Sequence, residues 1–222
     1  MLTLHYLDNS RSQRILWLLT ELGVDYQLQI HLRDPKTNLA PSSLKAIHPL
    51  GKSPVLTDGD KVIAESAMII DYLIKQYGQE TMPVITDPEQ QEQIQYWLHY
   101  GEGSLMPFLV MSLIFDKIKT APMPFFIRPI AKAIANQVLS SYISPNVSAH
   151  LAMIEQHLQG KTWFVGESLS GADIIMSFPL EALMKKPDIA QAHPNIKQYV
   201  ERIHARSGYQ QALKAGADYA YA

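Results

Sequence analysis

The sequence predicts two structural parts, an α/β domain followed by an all-α domain. The first eighty or so of the 222 residues alternate strand and helix signals, which favours a sheet with helical crossovers. Residues 82–88 then contain two prolines and show no hydrophobic periodicity. Beyond them strand signals stop and long helical patterns follow. We therefore predict an α/β domain over residues 1–81, a linker over residues 82–88 and an all-helical domain over residues 89–222.

Hydrophobic spacing places the first strand, helix and second strand. Residues 2–6 are typical of a strand. In the helix that follows, apolar residues share one face and Gly23 marks the end; these residues are Ile15, Leu18, Leu19 and Leu22. Residues 26–32 give a second strand signal. One helix between two strands predicts a right-handed parallel crossover.

The rest of the α/β domain predicts a hairpin and another helix. After a loop with two prolines, residues 42–46 favour a short helix, and we expect strands at residues 55–57 and 62–64. The Asp-Gly-Asp sequence between these strands is typical of an antiparallel hairpin turn. Residues 66–77 then carry apolar side chains on one helical face and stop before Gly78.

The second domain is predicted to be helical. Helical patterns cover residues 89–111, with a second run to residue 119, and then residues 129–142, 146–158, 171–183 and 194–215. Ser170 with Asp173 three residues later is a helix-capping pattern, and we expect its role to be structural. The helix after this cap is apolar on all sides, which predicts that it is buried.

Composition excludes several classes of function. The formal net charge is -2, so we expect neither nucleic acid nor an anionic membrane surface as a partner. The chain has no cysteine, which excludes disulfides and a protein thiol nucleophile; if the chemistry needs a thiol, a ligand must supply it. The eight histidines show no metal-ligand spacing, so no metal is expected. Because residues 1–6 lack the features of a signal peptide, we expect a cytoplasmic protein.

Residues 50–56, Leu-Gly-Lys-Ser-Pro-Val-Leu, contain the most informative local pattern. Pro54 deletes one hydrogen-bond donor at the start of an apolar strand, and such a proline belongs at an edge, a first residue or a bulge. A cis Ser53-Pro54 bond would turn the N–H and C=O of Val55 outward. Val55 could then pair with an extended peptide, as in recognition by strand addition.

Glu65 and Ser66 open the next helix and offer the same peptide a second contact. The first N–H groups of a helix and the positive end of its dipole favour a carboxylate. The Ser66 hydroxyl adds a hydrogen-bond donor. Together with residues 50–56, this helix start predicts a site for a small peptide.

Motifs spread over nearly the whole chain resemble those of the cytosolic glutathione transferases. The shared motifs lie at residues 8–11, 47–54, 65–66, 102–105 and 170–173. Residues 123–125 and 176–180 are especially similar to the branch shared by yeast and bacteria. The resemblance implies a thioredoxin-like first domain, an all-helical second domain, a homodimer and a role in detoxification.

The resemblance also implies that glutathione is a co-substrate lying along the Val55 edge. Its γ-glutamyl carboxylate would lie at Ser66 and its amine near Glu65, while Lys52 would reach the glycine carboxylate. These placements match charge with charge. The implied glutathione-binding residues are Lys52, Ser53, Pro54, Val55, Glu65 and Ser66.

Three hydroxyls are candidates for stabilising the glutathione thiolate. Chemistry requires a donor at the junction of the first strand and first helix, because hydrogen bonds and a helix start lower a thiol pKa. Ser10 ranks first by resemblance to the serine-type classes, Tyr6 second and Ser12 third. Ser10 and Ser12 could also serve as helix caps, and Tyr6 could be a plain strand aromatic. Arg11 and Arg14 are expected in salt bridges or in solvent.

The electrophile is expected in an apolar cleft between the domains. Methionine and aromatic side chains give an adaptable apolar surface; the candidates are Met106, Met111, Phe115, Phe125 and Phe126. The predicted function is conjugation of glutathione to small apolar electrophiles, with reduction of organic hydroperoxides as a further activity. The alternative is a non-catalytic glutathione-binding or scaffold protein, since a fold does not guarantee chemistry.

Overall fold

The computed structural model describes residues 1–82 and 84–222, so Pro83 of the predicted linker lies outside the described residues. The first domain contains a mixed sheet with strand order β2-β1-β3-β4. β1 is parallel to β2 and antiparallel to β3, which is antiparallel to β4. The elements are β1 (Leu2–Leu7), α1 (Ser12–Leu22), β2 (Tyr26–His31), α2 (Ser42–Ile47), β3 (Val55–Asp58), β4 (Lys61–Ala64) and α3 (Ser66–Tyr77). This arrangement confirms the predicted thioredoxin-like α/β domain.

The predicted hydrophobic face of α1 is buried. Its apolar residues and the inner residues of β1 join one core with α3. Gly23 ends α1 in the left-handed region at φ 65, and its N–H donates to the carbonyl of Thr20. A left-handed residue at this position costs least with glycine, because glycine lacks a Cβ.

The prediction that Pro54 marks a sheet edge is wrong. β3 is an inner strand, and Val55 is in register with His5 on one side and with Ala64 on the other. The Val55 side chain is fully buried. Pro54 is tolerated because it precedes the first strand residue, where its missing N–H removes no bond from the ladder. The Ser53-Pro54 bond is cis.

The second domain is helical, as predicted, but its helices join and break at other places. α4 (Pro88–Tyr100) continues through a π-helical turn (Gly101–Leu105) into α5 (Met106–Thr120). α6 (Arg128–Val138) continues in the same way through Leu139–Ile143 into α7 (Ser144–Leu158). The remaining helices are α8 (Gly171–Met184), α9 (Pro187–Ala192), α10 (Pro194–His204) and α11 (Ser207–Ala215). The helix predicted over residues 194–215 is two helices, α10 and α11, and the short helix α9 was not predicted.

α8 joins the two domains. It is buried along almost its entire length, as its apolar sequence predicts, and it packs against α1 and α3 of the first domain. Side chains of both domains therefore form one continuous core. None of the helices in the described part of the chain is both long and apolar enough to cross a bilayer. The boundaries at residues 1–81, 82–88 and 89–222 stay a prediction.

Candidate active site

A cavity of about 770 Å³ lies between the sheet domain and the helical domain. The sheet domain contributes the loops after β1 and β2 and the segment before β3. The first two loops meet because parallel strands end at the same edge of a sheet. The opposite wall comes from α5, α7, α8 and α9 and is largely apolar. Its apolar residues include Met106, Leu109, Val147, Leu151, Phe178, Leu183 and Ile189. The cavity thus has a polar side and an apolar side.

Three serine hydroxyls form a chain on the polar side. The Ser10 Oγ lies 2.9 Å from the Ser12 Oγ, which lies 2.5 Å from the Ser53 Oγ. The outer two also reach backbone carbonyls, Ser10 that of Leu7 at 2.7 Å and Ser53 that of His5 at 2.9 Å. Each hydroxyl has one proton to donate. When Ser10 and Ser53 donate to these carbonyls, Ser12 can donate its proton to either of them. The hydroxyl protons can therefore be redistributed when one serine donates to a bound ligand instead.

The three candidate hydroxyls differ in their access to the cavity. Ser10 lines it, whereas Ser12 is fully buried behind Ser10. Tyr6 is also fully buried, and its hydroxyl donates to Gln13 Oε1 at 2.8 Å. Burial raises the pKa of Tyr6 well above its usual value. Ser10 Oγ also accepts from the backbone N–H of Ser12, the first residue of α1, but the N-cap residue of this helix is Arg11 rather than Ser10.

Ser53 offers a free peptide group at the cavity. None of the hydrogen bonds among the described residues uses its backbone N–H or C=O. Lys52 and Gly51 line the cavity beside it, whereas Pro54 and Val55 do not. The backbone available for strand addition is therefore that of Ser53, one peptide before Pro54, rather than that of Val55.

The start of α3 lies outside the lining of this cavity. Ser66 is 4% exposed, and its hydroxyl accepts a hydrogen bond from Arg14 Nη2 at 2.9 Å. Glu65 is exposed and adopts a left-handed backbone with φ 68. Such a conformation is uncommon for a residue other than glycine and is found more often at functional sites.

Arg14 connects Ser66 to the helical domain. Its guanidinium is buried, donates to the Ile175 carbonyl at 2.7 Å and pairs with Glu102. Glu102 also pairs with Arg11 at 3.1 Å, and Arg11 lines the cavity. Burial lowers the pKa of Arg14, and the Glu102 charge opposes this shift. The expected salt-bridging role of both arginines is confirmed, and their network links the start of α3 to the cavity rim.

Of the predicted electrophile wall, Met106 lines the cavity. Met111 and Phe115 do not, because they lie five and nine residues further along α5, a spacing that puts them on other faces of the helix. Phe125 and Phe126 do not line it either and are 81% and 64% exposed in the turn between α5 and α6. These four residues therefore lie outside the lining of this cavity, since they were chosen by residue type without regard to helical phase. The wall that contacts the electrophile stays a prediction.

Residues 216–222 supply a part of the site that the sequence did not predict. The backbone N–H of Ala220 donates to Asn9 Oδ1 at 2.8 Å, directly before Ser10. The Tyr219 hydroxyl donates to the buried Glu181 at 2.5 Å. These two hydrogen bonds hold the segment beside the cavity. Tyr221 lines the cavity, and its ring centroid lies 5.3 Å from that of Phe178 on α8.

Asn9, Arg33 and Tyr221 were missed as cavity residues. Arg33 could have been found, because it follows β2, whose end lies beside the end of β1. Tyr221 has no such signal, since its segment has no periodicity. Arg14 was visible as a charged residue four positions before Leu18, on the apolar face of α1.

Among residues 1–82 and 84–222 no group of three metal-ligating side chains occurs.

Comparisons with known proteins relate this chain to one family. The family model described as "Glutathione S-transferase, N-terminal domain" matches residues 4–81, and "Glutathione S-transferase, C-terminal domain" matches residues 118–207. The chain is 34% identical to Glutathione S-transferase 3 of Schizosaccharomyces pombe, covering 93% of this chain and 84% of that protein. It is 35% identical to Glutathione S-transferase 1 of Saccharomyces cerevisiae, covering 94% and 92%. The crystal structure of a glutathione S-transferase from Actinobacillus pleuropneumoniae is 37% identical, covers 97% of this chain and 92% of its own, and superposes with a TM-score of 0.77.

Proposed function

The chain belongs to the glutathione S-transferase family, and on that basis we propose that it conjugates the glutathione thiolate to small apolar electrophiles. The observation that carries this proposal is the composition of one cavity. Ser10 and the free peptide group of Ser53 face a largely apolar wall across it. A peptide thiol and an apolar reactant fit these two sides.

We place glutathione by charge and by backbone pairing. Its cysteine backbone pairs with the Ser53 peptide group, as in strand addition. Its glycine carboxylate lies near Lys52 and Arg33, which both line the cavity. The tripeptide then extends toward the start of α3, where Ser66 and the helix N–H groups receive the γ-glutamyl carboxylate and Glu65 receives the amine.

The chemistry requires the thiolate form of bound glutathione. A thiol has a pKa of about 8.5, and donated hydrogen bonds or a helix N-terminus lower it. In the proposed complex the Ser10 hydroxyl turns from the Leu7 carbonyl to the sulfur, and Ser12 can still donate to Ser10. The sulfur attacks an electrophilic carbon and forms a C–S bond. A leaving group departs with its electron pair, or in an addition the substrate takes up a proton.

We extend the proposal to organic hydroperoxides. The thiolate sulfur attacks one oxygen of the hydroperoxide and forms an S–O bond while the O–O bond breaks. The departing alkoxide takes up a proton from water, which yields an alcohol and glutathione sulfenic acid. A second glutathione then gives the disulfide and water, so the two glutathiones supply both electrons. The protein contributes thiolate stabilisation and proximity. We also propose that the protein is a cytoplasmic homodimer; sedimentation and cell fractionation test these two points.

Retention on glutathione resin followed by a conjugation assay with chlorodinitrobenzene tests the function. We expect the protein to be retained and to turn over, with apparent saturation by both substrates. Ser10→Ala should be retained but turn over more slowly at neutral pH. Retention without turnover of any electrophile or hydroperoxide would favour the non-catalytic binding protein instead.

A further inference from the structure

The turn between α5 and α6 exposes a run of apolar side chains. Phe125 and Phe126 lie in the turn and are 81% and 64% exposed. Ile130 and Ile134 on α6 are 61% and 58% exposed, and they lie one helical turn apart. With Ile127, which is 40% exposed, these five residues form what we call the α5–α6 apolar face. An exposed apolar patch of this kind commonly marks an interaction site.

The chain around this face is exclusively basic. Residues 117–154 contain four cations, and all 21 acidic residues of the chain lie outside this range. Lys119 is paired with Asp116 at 2.9 Å. Lys117, Arg128 and Lys132 are exposed. The formal net charge of -2 therefore hides a local positive surface, and the expectation drawn from net charge did not take this segregation into account.

We propose that the α5–α6 apolar face binds peripherally to an anionic lipid bilayer. The two phenylalanines and the isoleucines would enter the boundary between headgroups and acyl chains. Lys117, Arg128 and Lys132 would lie at the lipid phosphates. Apolar side chains combined with neighbouring cations are the pattern of interfacial binding, where the hydrophobic and electrostatic contributions add.

Two other occupants fit the observations less well. A second copy of this chain would meet the face through the same residues under two-fold symmetry, which brings two basic surfaces together. An acidic protein would supply the charge complement. However, it would also need a groove of its own that is shaped to receive Phe125, which is 81% exposed in the turn. A bilayer surface accepts protruding side chains without needing a matching shape.

Flotation with lipid vesicles tests the proposal. We expect the full-length protein to float with phosphatidylcholine vesicles that contain phosphatidylglycerol, and much less with pure phosphatidylcholine. High salt should reduce flotation, because it screens the lipid charge. Joint Phe125→Ser and Ile130→Ser substitution should lower the partition coefficient about tenfold or more. Joint Lys117→Gln, Arg128→Gln and Lys132→Gln substitution should lower it about a hundredfold, since each cation contributes about fivefold.

Matched controls come from exposed residues elsewhere. Leu32→Ser removes a side chain that is 65% exposed in the sheet domain. Lys197→Gln removes a cation that is 55% exposed on α10. Neither control should change flotation. The thermal midpoint of each variant shows whether it is folded. If the serine variant unfolds, flotation of the glutamine variant, which changes only exposed charged side chains, still tests the proposal.

Three results would overturn the proposal. The first is a wild-type protein that fails to float with anionic vesicles at low salt. The second is equal flotation with neutral vesicles that salt does not affect. The third is a serine variant that floats normally but changes from dimer to monomer in sedimentation. In that case the occupant of the face is a second copy of the chain.

Discussion

The two walls of the cavity are built in different ways. The sheet-domain wall consists of short loops whose polar groups are fixed by hydrogen bonds. Some are local in sequence, as between Ser10 and Leu7 at 2.7 Å, and some join distant segments, as between Ser53 and His5 at 2.9 Å. The helical wall consists of apolar side chains from four helices that are far apart in sequence. Residues 216–222 close that wall through Tyr221. Within one site, the polar wall therefore depends on directed hydrogen bonds between a few short segments and the apolar wall on the packing of four helices.

This difference predicts different responses to substitution. Changes in the sheet-domain wall should alter the affinity and the acidity of glutathione with little effect on the electrophile. Changes in the helical wall should alter the electrophile and leave glutathione unaffected. Polar groups in the helical domain that contact neither wall, such as Asp173, should affect stability alone.

Asp173 gives the largest expected effect. Its buried carboxylate accepts from the backbone N–H groups of Phe164 and Ser170, from the Ser170 hydroxyl and from the Tyr199 hydroxyl. Asp173→Ala leaves these buried donors without an acceptor and should lower the free energy of unfolding by about 3 to 5 kcal/mol. Urea unfolding measures this loss. Asp71→Ala, which removes an exposed pair with Lys75, should cost less than about 0.5 kcal/mol.

The same carboxyl gives a pH dependence. Burial raises the pKa of Asp173 to about 6, above the value of about 3.9 in an unfolded chain. The native state therefore holds this proton to higher pH than the unfolded state. The stability that it contributes is complete below pH about 4 and is lost as the pH rises through about 6. The difference in unfolding free energy between wild type and Asp173→Asn should fall across this window; a rise would mean that the charged form is the stabilised one.

Ser66→Ala should weaken glutathione binding by about 1 to 2 kcal/mol, the scale of a lost hydrogen bond to a charged group. Titration calorimetry measures the change. The electrophile KM should stay the same, because Ser66 lies outside the cavity lining. Ser140→Ala is a matched control, since its hydroxyl donates to a carbonyl on its own helix surface. Unchanged affinity would remove Ser66 from the glutathione site.

Ser10→Ala should raise the pKa of the bound glutathione thiol by about one unit, because one hydrogen-bond donor to the sulfur is lost. Ultraviolet absorbance of the thiolate as a function of pH measures this value. Tyr6→Phe should not change it, since the Tyr6 hydroxyl is engaged with Gln13 away from the cavity. The opposite pattern would identify Tyr6 as the activating residue.

The sequence predicted the polar wall better than the apolar wall, for a physical reason. Lys52 and Ser53 belong to a turn whose geometry depends on neighbouring residues. The inner position of β3 depends on its pairing with distant strands, so residues 50–56 could not reveal that Val55 is enclosed by two neighbours. Met106 and Phe125 are both apolar residues of the helical region. Helical phase and the position of a turn decide that one lines the cavity and the other is exposed.

Tyr221 gives the smallest expected effect and the most direct test of the comparison between the two walls. Tyr221 and Phe178 line the cavity with their ring centroids 5.3 Å apart, and the contact of one such ring with an aromatic electrophile contributes about 0.5 to 1.5 kcal/mol. Tyr221→Ala should therefore raise the KM for an aromatic electrophile about two- to tenfold and leave the glutathione KM unchanged. Tyr96→Ala, which removes a tyrosine 52% exposed on α4, should change neither value. A rise in the glutathione KM would instead show that residues 216–222 act through Asn9 on the loop that holds Ser10, and the two walls would then form one coupled unit.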